Sequence, residues 1–168
     1  MSLFAPLQTG CLIALAMLLL LAAWQDLRTM HIADAVSVAI VAAFALWALS
    51  GLARGTLSLT TVGLAVVCAA VLFGVGAAAF AAGALGGGDV KLLAATSLFA
   101  GLGLMSDFLL VTTLVGGVLG VAMLAGAPIG PLAPAAGATI RTRLRGRLPY
   151  GPAIAAGGLF VAGSLALQ

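Results

Sequence analysis

Residues 7–25 read LQTGCLIALAMLLLLAAWQ, an apolar run long enough to cross a bilayer as one helix. A helix rises about 1.5 Å per residue, so roughly 20 apolar residues span the hydrocarbon core. The run ends at Asp26-Leu27-Arg28 and not at a small-residue cleavage site, and the first ten residues contain no Lys or Arg. Both features argue against a removable signal peptide, so we expect the run to remain as a transmembrane helix.

The composition extends this conclusion to the whole chain. Of the 168 residues, 64% are hydrophobic and 7% are charged, and the mean hydropathy is +1.30. A soluble domain has roughly 25% charged residues, so this is the composition of an integral membrane protein. We expect a single transmembrane domain over residues 1–168, because the spans leave no room for a sizeable soluble domain.

Further apolar runs, separated by charged or turn-forming residues, complete the predicted architecture. All of them are predicted helices, because open sheets cannot span lipid. The predicted fold class is therefore all-α, a polytopic bundle of about six transmembrane helices. The predicted spans are 7–25, 32–50, 57–82, 90–105, 107–126 and 150–167. Only Ser106-Asp107 divides the fourth span from the fifth, which predicts a tight hairpin there.

The distribution of Lys and Arg predicts the orientation of this bundle. With the N-terminus outside, six basic residues face the cytoplasm and Arg54 alone faces the other side. The six are Arg28, Lys91, Arg141, Arg143, Arg145 and Arg147. The four last-named lie in segment 127–149, whose prolines make it a predicted cytoplasmic loop. A basic cluster beside a span sets topology, so the net charge of +3 does not indicate a nucleic-acid partner.

The acidic residues are few enough to be considered one by one. The chain contains no glutamate and only four aspartates: Asp26, Asp34, Asp89 and Asp107. A carboxylate in the bilayer costs roughly 2.5–3.5 kcal/mol on insertion scales, so each needs a structural or functional reason. Asp26 ends the first predicted span and Asp89 begins the fourth, and the two spans between them return the chain to the same face. Asp107 falls on the opposite face, where we expect a structural role at the hairpin.

Two carboxyl groups on one face have a chemical use when they come close together. They cannot both ionise easily, so one keeps its proton while the other stays charged. The charged group can deprotonate a water that attacks a peptide carbonyl, and the protonated group can donate to the carbonyl oxygen. The structural alternative is that Gly86-Gly87-Gly88 ends one helix and Asp89 caps the next. In the catalytic interpretation, the three glycines provide both φ > 0 and a close approach of a substrate strand to the carboxylate.

The sequence around both aspartates resembles that of a known family. Residues 86–91, GGGDVK, are similar to the GxGDxK motif of the type IV prepilin peptidases, which are intramembrane aspartic proteases. Residues 26–34, DLRTMHIAD, are similar to the family's first motif, an aspartate followed by Ile-Pro-Asn or Ile-Pro-Asp, with Ala33 in place of proline. Residues 149–151, PYG, resemble the Pro-Tyr-Gly of short members that process Flp-type, or tight-adherence, pilins. The resemblance covers nearly the whole chain.

Carried over residue by residue, the resemblance implies roles for five residues. Asp26 and Asp89 would be the catalytic pair of an aspartic endopeptidase, and Gly86 and Gly88 would shape the site. Lys91 matches the lysine of the motif, where it would steady the charged carboxylate or, alternatively, bind lipid phosphate at the interface.

The resemblance also implies a substrate and a location. The expected reaction removes the short basic leader of Flp-type prepilins or pseudopilins, after a glycine, at the cytoplasmic face of the bacterial inner membrane. The two carboxyl groups supply acid and base themselves, so no metal or organic cofactor is implied, and His31, Cys11 and Cys68 make no zinc set. The cysteine-bearing segment of bifunctional relatives is absent, so we expect no methyltransferase domain. Prepilins and membrane lipid are the expected partners, and homo-oligomerisation is left open.

Two alternatives from other classes stay open. In a small ion-coupled transporter, Asp26 and Asp89 would relay ions along a polar path through the bilayer. In a non-catalytic scaffold of a pilus or secretion assembly they would cap helices, and asparagine would serve as well. Three further roles are also open: Asp34 as a helix cap or as support for the site, His31 as a tuning group or a solvated one, and Tyr150 as an interfacial anchor or a substrate contact.

Overall fold

The computed structural model describes residues 4–127 and 149–167. Within these ranges the chain forms six helices and no strand, which confirms the all-α prediction. The helices are α1 (Phe4–Thr29), α2 (Asp34–Arg54), α3 (Leu59–Ala81), α4 (Gly87–Ala100), α5 (Met105–Leu124) and α6 (Gly151–Ala166). The loop predicted at 127–149, with its arginine cluster, lies outside the described residues except at its two ends.

The helices differ in length more than the sequence predicts. α1, α2, α3 and α5 are long and apolar enough to cross a membrane. α4 has 14 residues and α6 has 16, which correspond to about 21 and 24 Å, less than the roughly 30 Å hydrocarbon core. The prediction of about six helices is confirmed, but two of them are shorter than the spans predicted for them.

The connection between α4 and α5 also differs from the prediction, which placed a hairpin at Ser106-Asp107. α4 ends at Ala100, because Gly101 adopts a φ of 52° in the left-handed region that favours glycine. Ser106 and Asp107 instead lie in the first turn of α5, where the helix dipole favours an acidic side chain. The predicted hairpin position is therefore wrong, although Asp107 keeps its predicted place at the end of α4 that is remote from Asp89.

Helix α4 lies at the centre of the bundle. It packs against α2, α3 and α6, and ten of its 14 residues are buried. α1 packs against α2 and α6, and α6 also packs against α5. This arrangement places the first turn of α4, which carries Asp89, next to the end of α3 and the start of α2.

Close packing of α6 depends on a residue without a side chain. A Cβ atom at Gly158 would lie 2.5 Å from Leu19 Cδ1 and 2.6 Å from Thr96 Cγ2, closer than Cβ atoms approach their neighbours. Gly158 therefore allows α6 to contact α1 and α4 at the same point.

We expect Gly158→Ala to lower the temperature of thermal unfolding in detergent micelles. Overpacking of this kind costs about 1–3 kcal/mol. The matched control is Gly163→Ala on the same helix, since nothing lies within 4 Å of the Cβ position there; helix propensity makes that change neutral or stabilising. Circular dichroism against temperature provides the measurement, and equal unfolding temperatures for the two variants would contradict the packing described here.

Candidate active site

The first predicted site residue, Asp26, lies near the C-terminal end of α1. Its side chain is buried, with 5% of the residue exposed. The backbone N–H of Gly151, the first residue of α6, donates to Asp26 Oδ2 at 2.7 Å. The first N–H groups of a helix have no partner within the helix, and its dipole favours a negative charge there. The N-terminus of α6 therefore stabilises this buried carboxylate.

Gly151 also fixes how closely α6 approaches Asp26. A Cβ atom at this position would lie 2.7 Å from Asp26 Cβ and 2.8 Å from Asp26 Oδ2, so a side chain does not fit. Sequence reasoning noted Gly151 only as part of the PYG segment and gave it no role. The PYG segment was the only feature of the sequence that pointed to Gly151. In the structure this glycine lets the start of α6 contact Asp26.

The second predicted site residue, Asp89, lies in the first turn of α4. It is 9% exposed, and its Oδ2 accepts a hydrogen bond from the Gly86 N–H at 3.2 Å. Asp89 therefore caps its own helix, as the structural alternative predicted, and it is buried as well. A capping side chain does not need to be buried, so capping alone does not explain why Asp89 is buried.

The glycines before Asp89 do not adopt φ > 0, and two of them lie close to side chains of the protein itself. Gly86 is extended, with φ −77° and ψ 146°, and Gly87 and Gly88 are already helical without positive φ. The expectation of φ > 0 is therefore wrong, because α4 begins two residues before Asp89. A Cβ at Gly86 would lie 2.7 Å from Asp89 Oδ2, and a Cβ at Gly88 would lie 3.2 Å from Ile32 Cβ.

Two contacts join the start of α4 to the segment that leads into α2. One comes from the connection before α2 and the other from the first residue of α2. Ile32, which is buried in the short connection between α1 and α2, packs on Gly88. The Lys91 ammonium binds both oxygens of the Asp34 carboxylate, at 2.7 and 2.8 Å. This ion pair is half-exposed, with 46% of the lysine side chain and 69% of the aspartate side chain accessible. Lys91 thus holds α2 and α4 together at this end, and its carboxylate partner is Asp34.

These contacts place the predicted site residues relative to one another. Asp26 and Asp89 lie at the same end of the bundle, as the span count predicts, together with Asp34 and Lys91. Asp107 lies at the other end, in the first turn of α5. The chain therefore gathers three of its four aspartates around the ends of α1, α2, α4 and α6.

The connection between α1 and α2 is ordered by a residue that sequence reasoning missed. Gln25 Oε1 accepts a hydrogen bond from the Ala33 N–H at 3.1 Å. Ala33 has φ −65° and ψ 133°, a φ value that proline would also adopt. The departure from the family's proline therefore leaves the backbone direction unchanged and adds a hydrogen bond that proline cannot donate. The signal in the sequence was an amide directly before Asp26 at the end of an apolar run.

The remaining candidates lie around the site. The Tyr150 ring is half-buried and packs on α5, where a Cβ at Gly116 would lie 3.0 Å from its Cε1. His31 is exposed, and its carbonyl accepts from the Thr29 hydroxyl at 3.1 Å. Tyr150 therefore packs the start of α6 against α5, while His31 is solvent-accessible.

The chain is a polytopic helical membrane protein with two buried aspartates at one end of its bundle. The sequence model of the type IV leader peptidase family matches residues 13–121, a region that contains both aspartates. The chain belongs to this family, and it is a prepilin-peptidase-type membrane protease whose substrates are prepilins. Comparison with curated proteins and with solved structures gives no match.

Proposed function

We propose that this protease is an aspartic endopeptidase and that Asp26 and Asp89 are its catalytic pair. The observation that carries the proposal is the burial of both carboxyl groups at one end of the bundle, each accepting from a glycine N–H at or just before the start of a helix. Burying a carboxylate is costly, and the chain buries two of its four aspartates at this end. Two such groups can supply the base and the acid that hydrolysis of a peptide bond uses.

In the proposed reaction, one carboxylate takes a proton from a water molecule as its oxygen attacks the peptide carbonyl carbon. The other carboxyl group donates its proton to the carbonyl oxygen, which gives a neutral tetrahedral intermediate. The C–N bond then breaks as the leaving amine takes the proton held by the first carboxyl group. The second carboxylate takes a proton back from a hydroxyl of the intermediate, which leaves a carboxylic acid and restores both groups. The helix N-termini of α4 and α6 favour the charged member of the pair without supplying a proton themselves.

The proposed substrate is the basic leader of a Flp-type prepilin, cut at the cytoplasmic face of a bacterial inner membrane. Support for this face comes from Arg28 and Lys91 at the end that carries the site, with Arg54 at the other end beside Gln8. The Arg28 guanidinium also lies 4.5 Å from the centre of the Trp24 ring, a pairing typical of the membrane interface. The PYG segment at 149–151 supports a Flp-type substrate.

The transporter and scaffold alternatives are less well supported. A relay needs ionisable groups along a path, whereas Asp26 and Asp89 share one end of the bundle and Asp107 lies at the other. A scaffold needs the aspartates only as caps, and a cap does not need to be buried.

The proposed function is tested by co-expressing the chain with a Flp-type prepilin in a host without its own prepilin peptidase. We expect a shorter pilin on gels, and its N-terminal sequence should begin just after the glycine that ends the leader. The matched control is a prepilin in which that glycine is replaced by a bulky residue. An uncut prepilin with the native chain accumulated in the membrane would overturn the proposal.

A separate prediction concerns Lys91. Because its partner is Asp34 and the ion pair is half-exposed, we expect Lys91→Met to lower the rate of cleavage by less than about tenfold. Asp34→Asn should have a similar effect, and the double variant should be no worse than either single variant, since both changes remove the same contact. Initial rates of prepilin cleavage in membranes provide the measurement. A loss from Lys91→Met as complete as that from a catalytic aspartate would instead assign the lysine to the reacting carboxylate.

A further inference from the structure

A large cavity lies at the end of the bundle that is remote from Asp26 and Asp89. Its volume is about 640 Å³, within the roughly 300–1,000 Å³ that is usual for sites of small molecules. The starts of α1 and α3, the ends of α2, α4 and α6, and the connection at 101–104 line it. Neither member of the proposed catalytic pair is among its lining residues.

The cavity exists because α4 is short. Phe99, the last residue but one of α4, packs on Phe44 and Trp47 of α2, with ring centres 5.4 and 5.7 Å apart. From Trp47, α2 continues to Arg54, a further rise of about 10 Å. The space that a longer α4 would fill therefore stays open beside the end of α2. Leu102 lines this space and is 64% exposed, so the cavity opens at the surface of the bundle.

The lining of the cavity is polar near the helix ends and apolar further along the helices. The polar residues belong to the first two turns of α1 and α3, to the end of α2 and to the connection after it: Gln8, Thr9, Arg54, Thr56 and Thr61. The apolar residues lie deeper, level with the end of α4, and include Phe44, Trp47 and Leu98. An amphiphile with a polar head at the interface and a chain in the hydrocarbon region matches this order.

Arg54 gives the cavity a single sign of charge. In the part of the chain that the structure describes, its guanidinium donates to the neutral Gln8 Oε1, and none of the four aspartates lines the cavity. A guanidinium has five N–H donors in a planar fork that fits phosphate, so the bond to Gln8 leaves donors for an anion. Basic pockets between membrane helices favour anionic lipid head groups for this reason.

We infer that this cavity binds one anionic glycerophospholipid, with its phosphate on Arg54 and an acyl chain against Phe44 and Trp47. The lipid fills the space beyond the end of α4 and contacts all the helices that surround it. The inference does not depend on the proposed function, because the site lies at the other end of the bundle and its occupancy is measured without a substrate.

Fluorescence of Trp47 tests the inference directly. The chain has two tryptophans, Trp24 and Trp47, so Trp24→Phe leaves only the one in the cavity. This full-length chain is placed in phosphatidylcholine vesicles with increasing fractions of phosphatidylglycerol whose brominated acyl chains quench tryptophan on contact. We expect half-maximal quenching at a lipid fraction about tenfold below that needed with brominated phosphatidylcholine. Equal fractions for the two brominated lipids would overturn the inference.

Arg54→Gln tests the phosphate contact in the same assay. The variant keeps a polar side chain but loses the charge, so we expect the half-quenching fraction of phosphatidylglycerol to rise about tenfold. The matched control is Arg28→Gln, which removes a basic residue at the other end of the bundle and should leave the fraction unchanged. An unchanged fraction in Arg54→Gln would overturn the inference.

Filling the cavity provides a second test. Val62 lines the cavity, whereas Val66, one turn further along α3, is exposed and does not. We expect Val62→Phe to abolish the preference for phosphatidylglycerol and Val66→Phe to retain it, at equal helix content by circular dichroism. A retained preference in Val62→Phe would contradict the site. Excess inorganic phosphate should not reverse the quenching, and reversal by phosphate alone would assign Arg54 to a free anion and overturn the lipid assignment.

Discussion

Asp26→Asn and Asp89→Asn are each expected to abolish leader cleavage while leaving the amount of protein in the membrane unchanged. Asparagine has nearly the same shape as aspartate, and its side-chain oxygen can accept the same N–H, from Gly151 in one case and from Gly86 in the other. It cannot take or give a proton at neutral pH. General acid–base catalysis contributes about 10²- to 10⁴-fold for each group, so cleavage should become undetectable in a co-expression assay.

The matched control for these variants is Asp107→Asn at the other end of the bundle. Asp107 lies in the first turn of α5, where loss of its charge costs only about 0.3–1 kcal/mol of interaction with the helix dipole. We expect normal cleavage from this variant, measured by the shift of the pilin band and its N-terminal sequence. If both Asp26→Asn and Asp89→Asn still cut, the two aspartates are caps and the aspartic mechanism is wrong.

The second large effect is expected from Gly151→Ala. The new Cβ would lie 2.7 Å from Asp26 Cβ and 2.8 Å from its Oδ2, so either α6 moves away or the carboxyl group turns. Both responses displace a carboxyl group that we propose to be catalytic, and a displacement of about 1 Å can cost about 100-fold in rate. We expect a loss of this size in kcat, measured on purified protein in lipid vesicles.

Stability and catalysis can be separated with Gly158→Ala, which creates a similar overlap far from the aspartates. This variant should unfold at a lower temperature but cut prepilin at a near-native rate when folded. Gly151→Ala should lose the rate at temperatures where its helices remain intact. A near-native rate for Gly151→Ala would contradict the close contact between α6 and Asp26.

Much of the fold follows from the sequence because the bilayer restricts what an apolar chain can form. Long apolar runs must be helices, and charged residues mark their ends, so the helices and the placement of Asp26 and Asp89 at one end were predictable. The lengths of α4 and α6 could not be predicted from the sequence. A short helix is accommodated where its neighbours surround it, and that depends on tertiary packing.

The candidate site also has one part that the sequence predicts and another part that depends on tertiary packing. Its aspartates are rare acidic residues in an apolar chain, so the sequence reveals them directly. The Gly151 N–H that binds Asp26 comes from a residue 125 positions away, and no local pattern indicates such a contact. Lys91 illustrates the limit of a motif, since its position in GGGDVK does not reveal that its partner is Asp34.

We propose that this chain cuts prepilin by itself through Asp26 and Asp89. The most direct test is to incubate purified protein in lipid vesicles with a purified Flp-type prepilin and to follow the masses of both products. We expect the native chain to release the leader and the mature pilin, and the Asp26→Asn/Asp89→Asn chain, folded to the same helicity, to release neither. No cleavage by the native chain, or equal cleavage by both, would contradict it.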